Sequence, residues 1–160
     1  MYNIREATIS DREDLKLLYE DLQGETVNVY DDRIWELLKS EHDFLFVIDF
    51  NSNIVGTITV NICINGAFSN SNYAVFENMI VRKEFRKLGI GSFLLNYLEE
   101  FVKNKGCTKI HITSSLKRED AHRVFIKHGY SITSKSFKKF IWNGEKRWSL
   151  ANLKVLIQYL

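Results

Sequence analysis

The chain has 160 residues, of which 45% are hydrophobic and 13% aromatic, and this is enough apolar material for the core of one compact domain. Its formal net charge of +2 is too small to indicate nucleic acid as a partner of the whole surface. No apolar run approaches the roughly 20 residues of a membrane span, and the N-terminus lacks a signal-peptide pattern. We therefore expect a single cytoplasmic domain over residues 1–160, with neither nucleic acid nor a membrane as a partner.

The two cysteines indicate neither a metal site nor a redox motif. Cys63 and Cys107 lie far apart in the sequence and have the spacing of neither. We expect both to be free, buried thiols in a reducing compartment, and we expect no bound metal.

The N-terminal part of the chain predicts a strand followed by two helices. Residues 2–7 have the pattern of a strand. Ser10 and Glu13 have the spacing of a capping box, which begins a helix. Apolar residues at helical spacing continue that helix until it ends near Gly24, and a second short helix is predicted over residues 31–40.

A hairpin and a loop are predicted next. Residues 44–50 and 54–64 are apolar and rich in β-branched and aromatic side chains, and the polar turn 51–53 joins them. This pattern predicts two paired strands. Residues 65–72 are rich in Asn, Ser and Gly, which is typical of a loop.

Residues 75–98 are the most informative stretch of the chain. Residues 75–81 predict a short buried strand. Two glycines follow, Gly89 and Gly91, and from Ile90 the apolar residues recur at helical spacing, which predicts a helix that ends at Gly106. Between the strand and the glycines, four cations crowd into six positions: Arg82, Lys83, Arg86 and Lys87.

A strand, a glycine turn and a helix start together predict an anion site. The first N–H groups of a helix lack intrahelical partners and carry the positive end of its dipole. Glycines allow a phosphate to approach that backbone without a Cβ in the way, and the nearby cations add full charges. Phosphate binding is therefore the favoured interpretation, and a plain structural turn is the alternative.

The remaining segments predict a mixed sheet. Residues 109–113 predict a strand, residues 120–128 a helix that ends at Gly129, and residues 130–141 another strand. Asn143 and Gly144 form a hairpin signal, and residues 150–160 predict a helical tail that covers the domain's own core or pairs with a second subunit. We expect an α/β (α+β) fold with a mixed, mostly antiparallel central sheet and helices on both faces.

Two motifs resemble those of a known family. Residues 86–91, with the sequence RKLGIG, fit the pattern R/Q-x-x-G-x-G/A of the GNAT superfamily of N-acetyltransferases, which bind acetyl-coenzyme A. The preceding residues 77–81 resemble the central strand of that family. Residues 118–123 and 127–130 resemble its second signature, a helix that ends at Gly-Phe or Gly-Tyr. The resemblance implies a GNAT-like fold over roughly residues 4–141.

The resemblance also implies an activity and a set of coenzyme contacts. It implies an acyltransferase that moves an acetyl group from acetyl-coenzyme A, its co-substrate, to a primary amine of a small molecule or protein, acting as a monomer or homodimer. Arg118 stands where many relatives place an asparagine near the coenzyme, and it either reaches a phosphate or is solvated. A backbone N–H, that of Ile80, is expected to face the thioester oxygen. By match to the motifs, the pyrophosphate and the pantetheine arm would contact Met79, Ile80, Val81, Arg86, Lys87, Leu88, Gly89, Ile90, Gly91 and Ser92.

Glu77 is the first candidate for the catalytic base. It is a carboxylate in an otherwise apolar strand, two residues before Met79, and a regular strand would put both side chains on the same face. Burial there would raise its pKa toward a useful range. The alternative is a strand-end glutamate paired with Arg or Lys. His111 is the second candidate base, although a core or surface histidine is the commoner reading of such a residue.

The general acid is where the sequence departs from the family. Relatives commonly carry a tyrosine four residues before the glycine of the second signature, and here that position holds Phe125, which has no proton to give. Either the thiolate leaves without a dedicated acid or another group serves. The missing tyrosine also leaves open a second function, a non-catalytic acetyl-coenzyme A-binding sensor or regulatory module.

Overall fold

The computed structural model describes residues 1–67 and 71–139. Their strands form one sheet in the order β1-β2-β3-β4-β5, in which β1 to β4 are antiparallel and β4 pairs with β5 in parallel. The strands are β1 (Tyr2–Glu6), β2 (Asp43–Phe50), β3 (Asn53–Ile64), β4 (Asn72–Val81) and β5 (Cys107–Ile112). The helices are α1 (Arg12–Gln23), α2 (Asp31–Lys39), α3 (Ile90–Asn104) and α4 (Glu119–Lys127).

Helices cover both faces of the sheet. Side chains alternate along a strand, so Phe44 and Phe46 of β2 pack in one apolar cluster with α3 and α4. Leu45 and Val47 pack in a second cluster with α1 and α2. Because both faces are covered, β2 is buried along most of its length, as its nearly continuous apolar sequence requires. The predicted fold class is therefore confirmed.

The structure has a capping box, but Thr8 and Asp11 form it and not the predicted Ser10 and Glu13. A short 3-10 helix, Ile9–Asp11, precedes α1, so the cap falls two residues earlier than Ser10 and Glu13 would put it. The backbone N–H of Thr8 donates to the Asp11 carboxylate at 2.7 Å. Ser10 instead shares a hydrogen bond with the Thr8 hydroxyl at 2.7 Å.

Asp11 also ties β1 to the start of α1. Its side chain is almost fully buried, and both nitrogens of the Arg5 guanidinium donate to it at 2.8 Å. Burial works to raise the pKa of this carboxyl, but the hydrogen bonds from Arg5 and Thr8 outweigh burial and lower the pKa. The ionised pair therefore fixes how α1 sits against the sheet.

We expect Asp11→Asn to destabilise the fold by about 2 kcal/mol at pH 7, because it removes a charge-assisted hydrogen-bond pair from a mostly buried site. The folded pKa of Asp11 is lowered, so its contribution is present above the ordinary aspartate pKa and is lost as the pH falls through the folded value. Urea unfolding of both proteins should thus show a difference that shrinks toward pH 3. A difference that stays the same at both pH values would contradict this account, and the exposed neighbour Glu13, as Glu13→Gln, is the control.

The C-terminal part of the described chain differs from the prediction. No strand forms over residues 130–139. No strand of the described residues pairs with this segment, and Ile132 is 85% and Phe137 91% exposed; a strand depends on such pairing for its stability. Residues 140–141, the Asn143-Gly144 turn and the tail at 150–160 lie outside the described residues, and the single-domain assignment stays a prediction.

The cysteines and the helices add two smaller findings. Cys63 and Cys107 are free, as predicted, but they are half-buried because both lie near strand ends. Among residues 1–67 and 71–139, no helix is long and apolar enough to cross a membrane, and no three potential metal ligands come together.

Candidate active site

The pairing between strands β4 and β5 ends halfway along β4. Their pairing ends with Phe76 opposite Ile112, and a last contact joins the N–H of Thr113 to the carbonyl of Phe76 at 3.5 Å. β4 then runs on to Val81 while β5 has ended. Residues 78–81 therefore present backbone to a gap on the β5 side, and we call this backbone the open edge of β4.

A β-bulge at Asn78 marks the start of the open edge. Glu77 lies opposite Thr59 and Ile80 lies opposite Thr57, so two residues of β4 face the single residue between these threonines. Asn78 has a φ of 55°, in the left-handed region, which asparagine tolerates better than most other residues. Sequence analysis missed this bulge, and a lone asparagine in an apolar strand was its signal.

The bulge corrects the prediction for Glu77. Met79 lies three residues after Phe76, yet both side chains pack on the α3/α4 face. Glu77 directly follows Phe76 and so points to the α1/α2 face, opposite to Met79, where it is exposed. The burial on which the prediction depended is therefore absent. The ion-pair alternative also finds no Arg or Lys partner in the part of the chain that the structure describes.

His111 lies on the same face of the sheet as Glu77, but its imidazole points away from Glu77. On β5 it is opposite Val75, two residues before Glu77, and it is exposed. Its ring packs edge-on against Tyr73, with 5.6 Å between the ring centroids. Tyr73 and Glu77 lie on opposite sides of Val75, so this contact directs the imidazole away from the open edge.

The predicted anion loop, residues 86–92, has the backbone shape that the glycines suggested. Lys87 and Gly89 are left-handed, with φ of 65° and 81°. The N–H of Phe93 makes the first bond of α3, to the carbonyl of Gly89 at 2.9 Å. The N–H groups of Ile90, Gly91 and Ser92 therefore precede the hydrogen-bond ladder of the helix.

This loop lies directly beside β4. Ile90 is buried and anchors the start of α3 in the core, whereas Leu88 is 61% exposed. A Cβ on Gly91 would lie 3.5 Å from the terminal methyl of Met79. The helix N-terminus and the open edge of β4 are thus neighbouring parts of one site.

A carboxylate from α1 engages the cations of the loop. The Arg86 guanidinium donates to the carbonyl of Val81 at 2.8 Å and is paired with Asp21. The ammonium of Lys83 lies 2.9 Å from the same carboxylate. Partial burial works to raise the pKa of Asp21, but the hydrogen bond from Lys83 and the charge of Arg86 outweigh it and lower the pKa. No sequence signal singled out Asp21.

Arg118 reaches the open edge of β4. From the sequence, Arg118 was expected either to reach a phosphate or to be solvated. The structure shows its guanidinium donating to the carbonyl of Met79 at 2.9 Å. Its side chain is half-buried at the start of α4. Burial lowers the pKa of Arg118, the like charge of Arg86 lowers it further, and Asp21 acts in the opposite direction.

The fold is that of the acetyltransferases to which the chain is similar. The family model described as "Acetyltransferase (GNAT) family" matches residues 12–130, and the chain belongs to that family. Members of the family use acetyl-coenzyme A.

The chain is also similar to one curated relative and to several solved structures. The chain is 28% identical, over 56% of its length and 57% of the relative's, to an aminoalkylphosphonate N-acetyltransferase of Salmonella typhimurium. The match thus spans little more than half of that relative. A crystal structure titled as a transcriptional regulator from Bacillus halodurans has a TM-score of 0.83 and 25% identity over 88% of this chain and 100% of that one. The glucosamine-6-phosphate N-acetyltransferase of Arabidopsis thaliana has a TM-score of 0.73 and 23% identity over 88% and 98%, which shows a common fold.

The left-handed conformation of Asn78 predicts an unusual order of stabilities. Asn78→Ala should cost about 1 kcal/mol, because a Cβ without a polar side chain is disfavoured at this φ. Asn78→Gly should be the more stable of the two variants, since glycine adopts positive φ freely. Urea unfolding would compare them with Val75→Ala and Val75→Gly in the regular part of β4, where alanine should be preferred. The same preference at both positions would contradict the bulge.

Proposed function

We propose that this protein transfers the acetyl group of acetyl-coenzyme A to a primary amine of a small molecule or protein. The observation that carries the proposal is the open edge of β4 beside the N-terminus of α3. One site thus offers strand backbone that has no strand partner on the β5 side for an amide-containing arm, and helix N–H groups for a phosphate. Membership of the acetyltransferase family supports the same function.

The coenzyme would lie along these two features. The N–H groups at residues 90–92 would hold the pyrophosphate, and Met79, Ile80 and Val81 would pair with the pantetheine arm. Arg86 and Lys83 would add positive charge, although Asp21 already neutralises part of it. A phosphate would therefore compete with the Asp21 carboxylate for the same cations.

The acceptor amine would approach from the α1/α2 face, where Glu77 is exposed. A carboxylate there can accept the proton of the amine directly or through a water molecule. His111 is on the same face and is the second candidate. Because the contact with Tyr73 holds its ring away from the open edge, the geometry favours Glu77.

A sensor or regulatory function is the alternative. Phe125 occupies the position of the usual tyrosine, is 7% exposed and packs against Tyr130 with 6.0 Å between ring centroids. One structural neighbour is itself titled a transcriptional regulator. Such a protein would bind the coenzyme without turning it over.

One experiment separates these functions. Calorimetry would measure the binding of acetyl-coenzyme A, and a thiol reagent would then follow its consumption against a library of amines. The library would begin with aminoalkylphosphonates and amino-sugar phosphates, which the names of the relatives suggest. We expect binding and amine-dependent thiol release. Binding without release would favour the sensor, and the absence of binding would overturn both functions.

Gly91→Asp should weaken the binding of acetyl-coenzyme A by at least about tenfold, because it places a like charge against the pyrophosphate. The fold should survive, since a Cβ at Gly91 makes an ordinary contact and an acidic residue near a helix N-terminus is stabilising. Gly91→Asn is the neutral control of the same size and should bind more tightly than the aspartate variant. If calorimetry gave equal affinities for Gly91→Asp and the wild type, the proposed phosphate position would be wrong.

Glu77→Gln should lower kcat by about 100-fold if Glu77 is the base. It should also flatten the acid limb of the pH–rate profile, because the rate falls at low pH when the catalytic base becomes protonated, and glutamine cannot be protonated in this way. The affinity for acetyl-coenzyme A should hardly change, since the phosphates bind elsewhere. Should kcat and its pH dependence survive in Glu77→Gln but not in His111→Ala, His111 would be the base.

A further inference from the structure

Arg118 is a half-buried cation at the open edge of β4 that has no carboxylate partner in residues 1–67 and 71–139. Its guanidinium bonds a neutral carbonyl, that of Met79, at 2.9 Å. The charges that act on it are the like charge of Arg86 and the carboxylate of Asp21, which is itself engaged by Arg86 and Lys83. A cation placed in this way favours negative charge beside it.

Arg118 and Glu77 flank the same part of β4 from opposite faces. Arg118 comes from the start of α4, which packs on the α3/α4 face. Glu77 lies on the α1/α2 face, two residues from the carbonyl that Arg118 holds. A reacting group at the open edge would therefore have a base on one side and a fixed cation on the other.

We propose that Arg118 contacts the leaving sulfur of the coenzyme and stabilises it as a thiolate, in place of the proton that Phe125 cannot give. This inference rests on the proposed acetyl transfer. The amine nitrogen attacks the thioester carbonyl from the Glu77 side and forms the new C–N bond. The C–S bond breaks, its electron pair goes to sulfur, and the proton of the amine goes to Glu77, directly or through water. The sulfur then departs as a thiolate beside the guanidinium and needs no dedicated acid.

The coenzyme thiol itself reports this contact. A nearby cation lowers the pKa of a thiol, and a thiolate absorbs ultraviolet light where a thiol does not. A pH titration of the complex between the protein and coenzyme A without its acetyl group therefore measures the pKa of the bound thiol. That pKa reports the charge near the sulfur. We expect the bound thiol of the wild type to ionise at lower pH than the thiol of unbound coenzyme A.

Two substitutions separate the charge of Arg118 from its hydrogen bond. Arg118→Gln keeps a donor but removes the charge, so its bound thiol should ionise about tenfold less readily at a given pH, and kcat should fall about tenfold with the KM for the amine unchanged. Arg118→Lys keeps the charge, so its bound thiol should ionise more readily than that of Arg118→Gln and its kcat should be partly restored. Arg123→Ala, at an exposed arginine of the same helix that pairs with Asp120, is the matched control and should change neither quantity.

Other results would overturn the inference. The thiol titration and kcat of Arg118→Gln could match those of the wild type, which would leave Arg118 with a structural role. Alternatively, Arg118→Gln could weaken acetyl-coenzyme A binding while leaving that of S-acetylpantetheine, which lacks the phosphates, unchanged; Arg118 would then be a phosphate ligand. A wild type that binds no coenzyme would overturn the proposed function itself, whereas binding with an unshifted thiol would overturn this inference alone.

Discussion

The parting of β4 from β5 is the constraint on which the rest of the site depends. A buried strand normally satisfies its backbone on both sides, but after residue 76 the described part of the chain gives β4 a strand partner on one side only. The bulge at Asn78 falls at this point and turns Met79 toward α3 and α4 while Glu77 faces α1 and α2. The fold thereby places backbone without a strand partner, a carboxylate and the N-terminus of α3 on or beside the same strand.

Charge at the site is arranged around a protein carboxylate. Asp21 pairs with Arg86 and Lys83 and so neutralises part of the positive charge next to the loop. Arg118 differs from Arg86 because it bonds a carbonyl without also pairing with a carboxylate among residues 1–67 and 71–139. Helix N–H groups need no such counter-charge, so the backbone at residues 90–92 would be open to the proposed phosphate without displacing a carboxylate.

The sequence predicted the helices and strands, which depend on apolar periodicity, but it did not predict the bulge or the helix cap, which depend on local backbone geometry. The helices and the first five strands follow from apolar spacing, and the glycine loop follows from its position between strand and helix. The faces of β4 could not be predicted, because one left-handed asparagine reverses the alternation after it. The cap of α1 was misplaced because a 3-10 turn moved it to Thr8 and Asp11. The contacts of Arg118 and Asp21 join segments far apart in the chain, and spacing carries no information about them.

The two halves of the proposed reaction make unequal demands on the protein. A thiol has an ordinary pKa of about 8.5, so its thiolate is a fair leaving group, and one pKa unit of stabilisation requires only about 1.4 kcal/mol. A lysine-like amine has a pKa of about 10.4, so only about one molecule in 2,500 is uncharged at pH 7. Removal of the amine proton is therefore the harder task. A fixed cation at Arg118 can suffice on the thiolate side, where Phe125 offers no proton, whereas the amine side needs a base, the role proposed for Glu77.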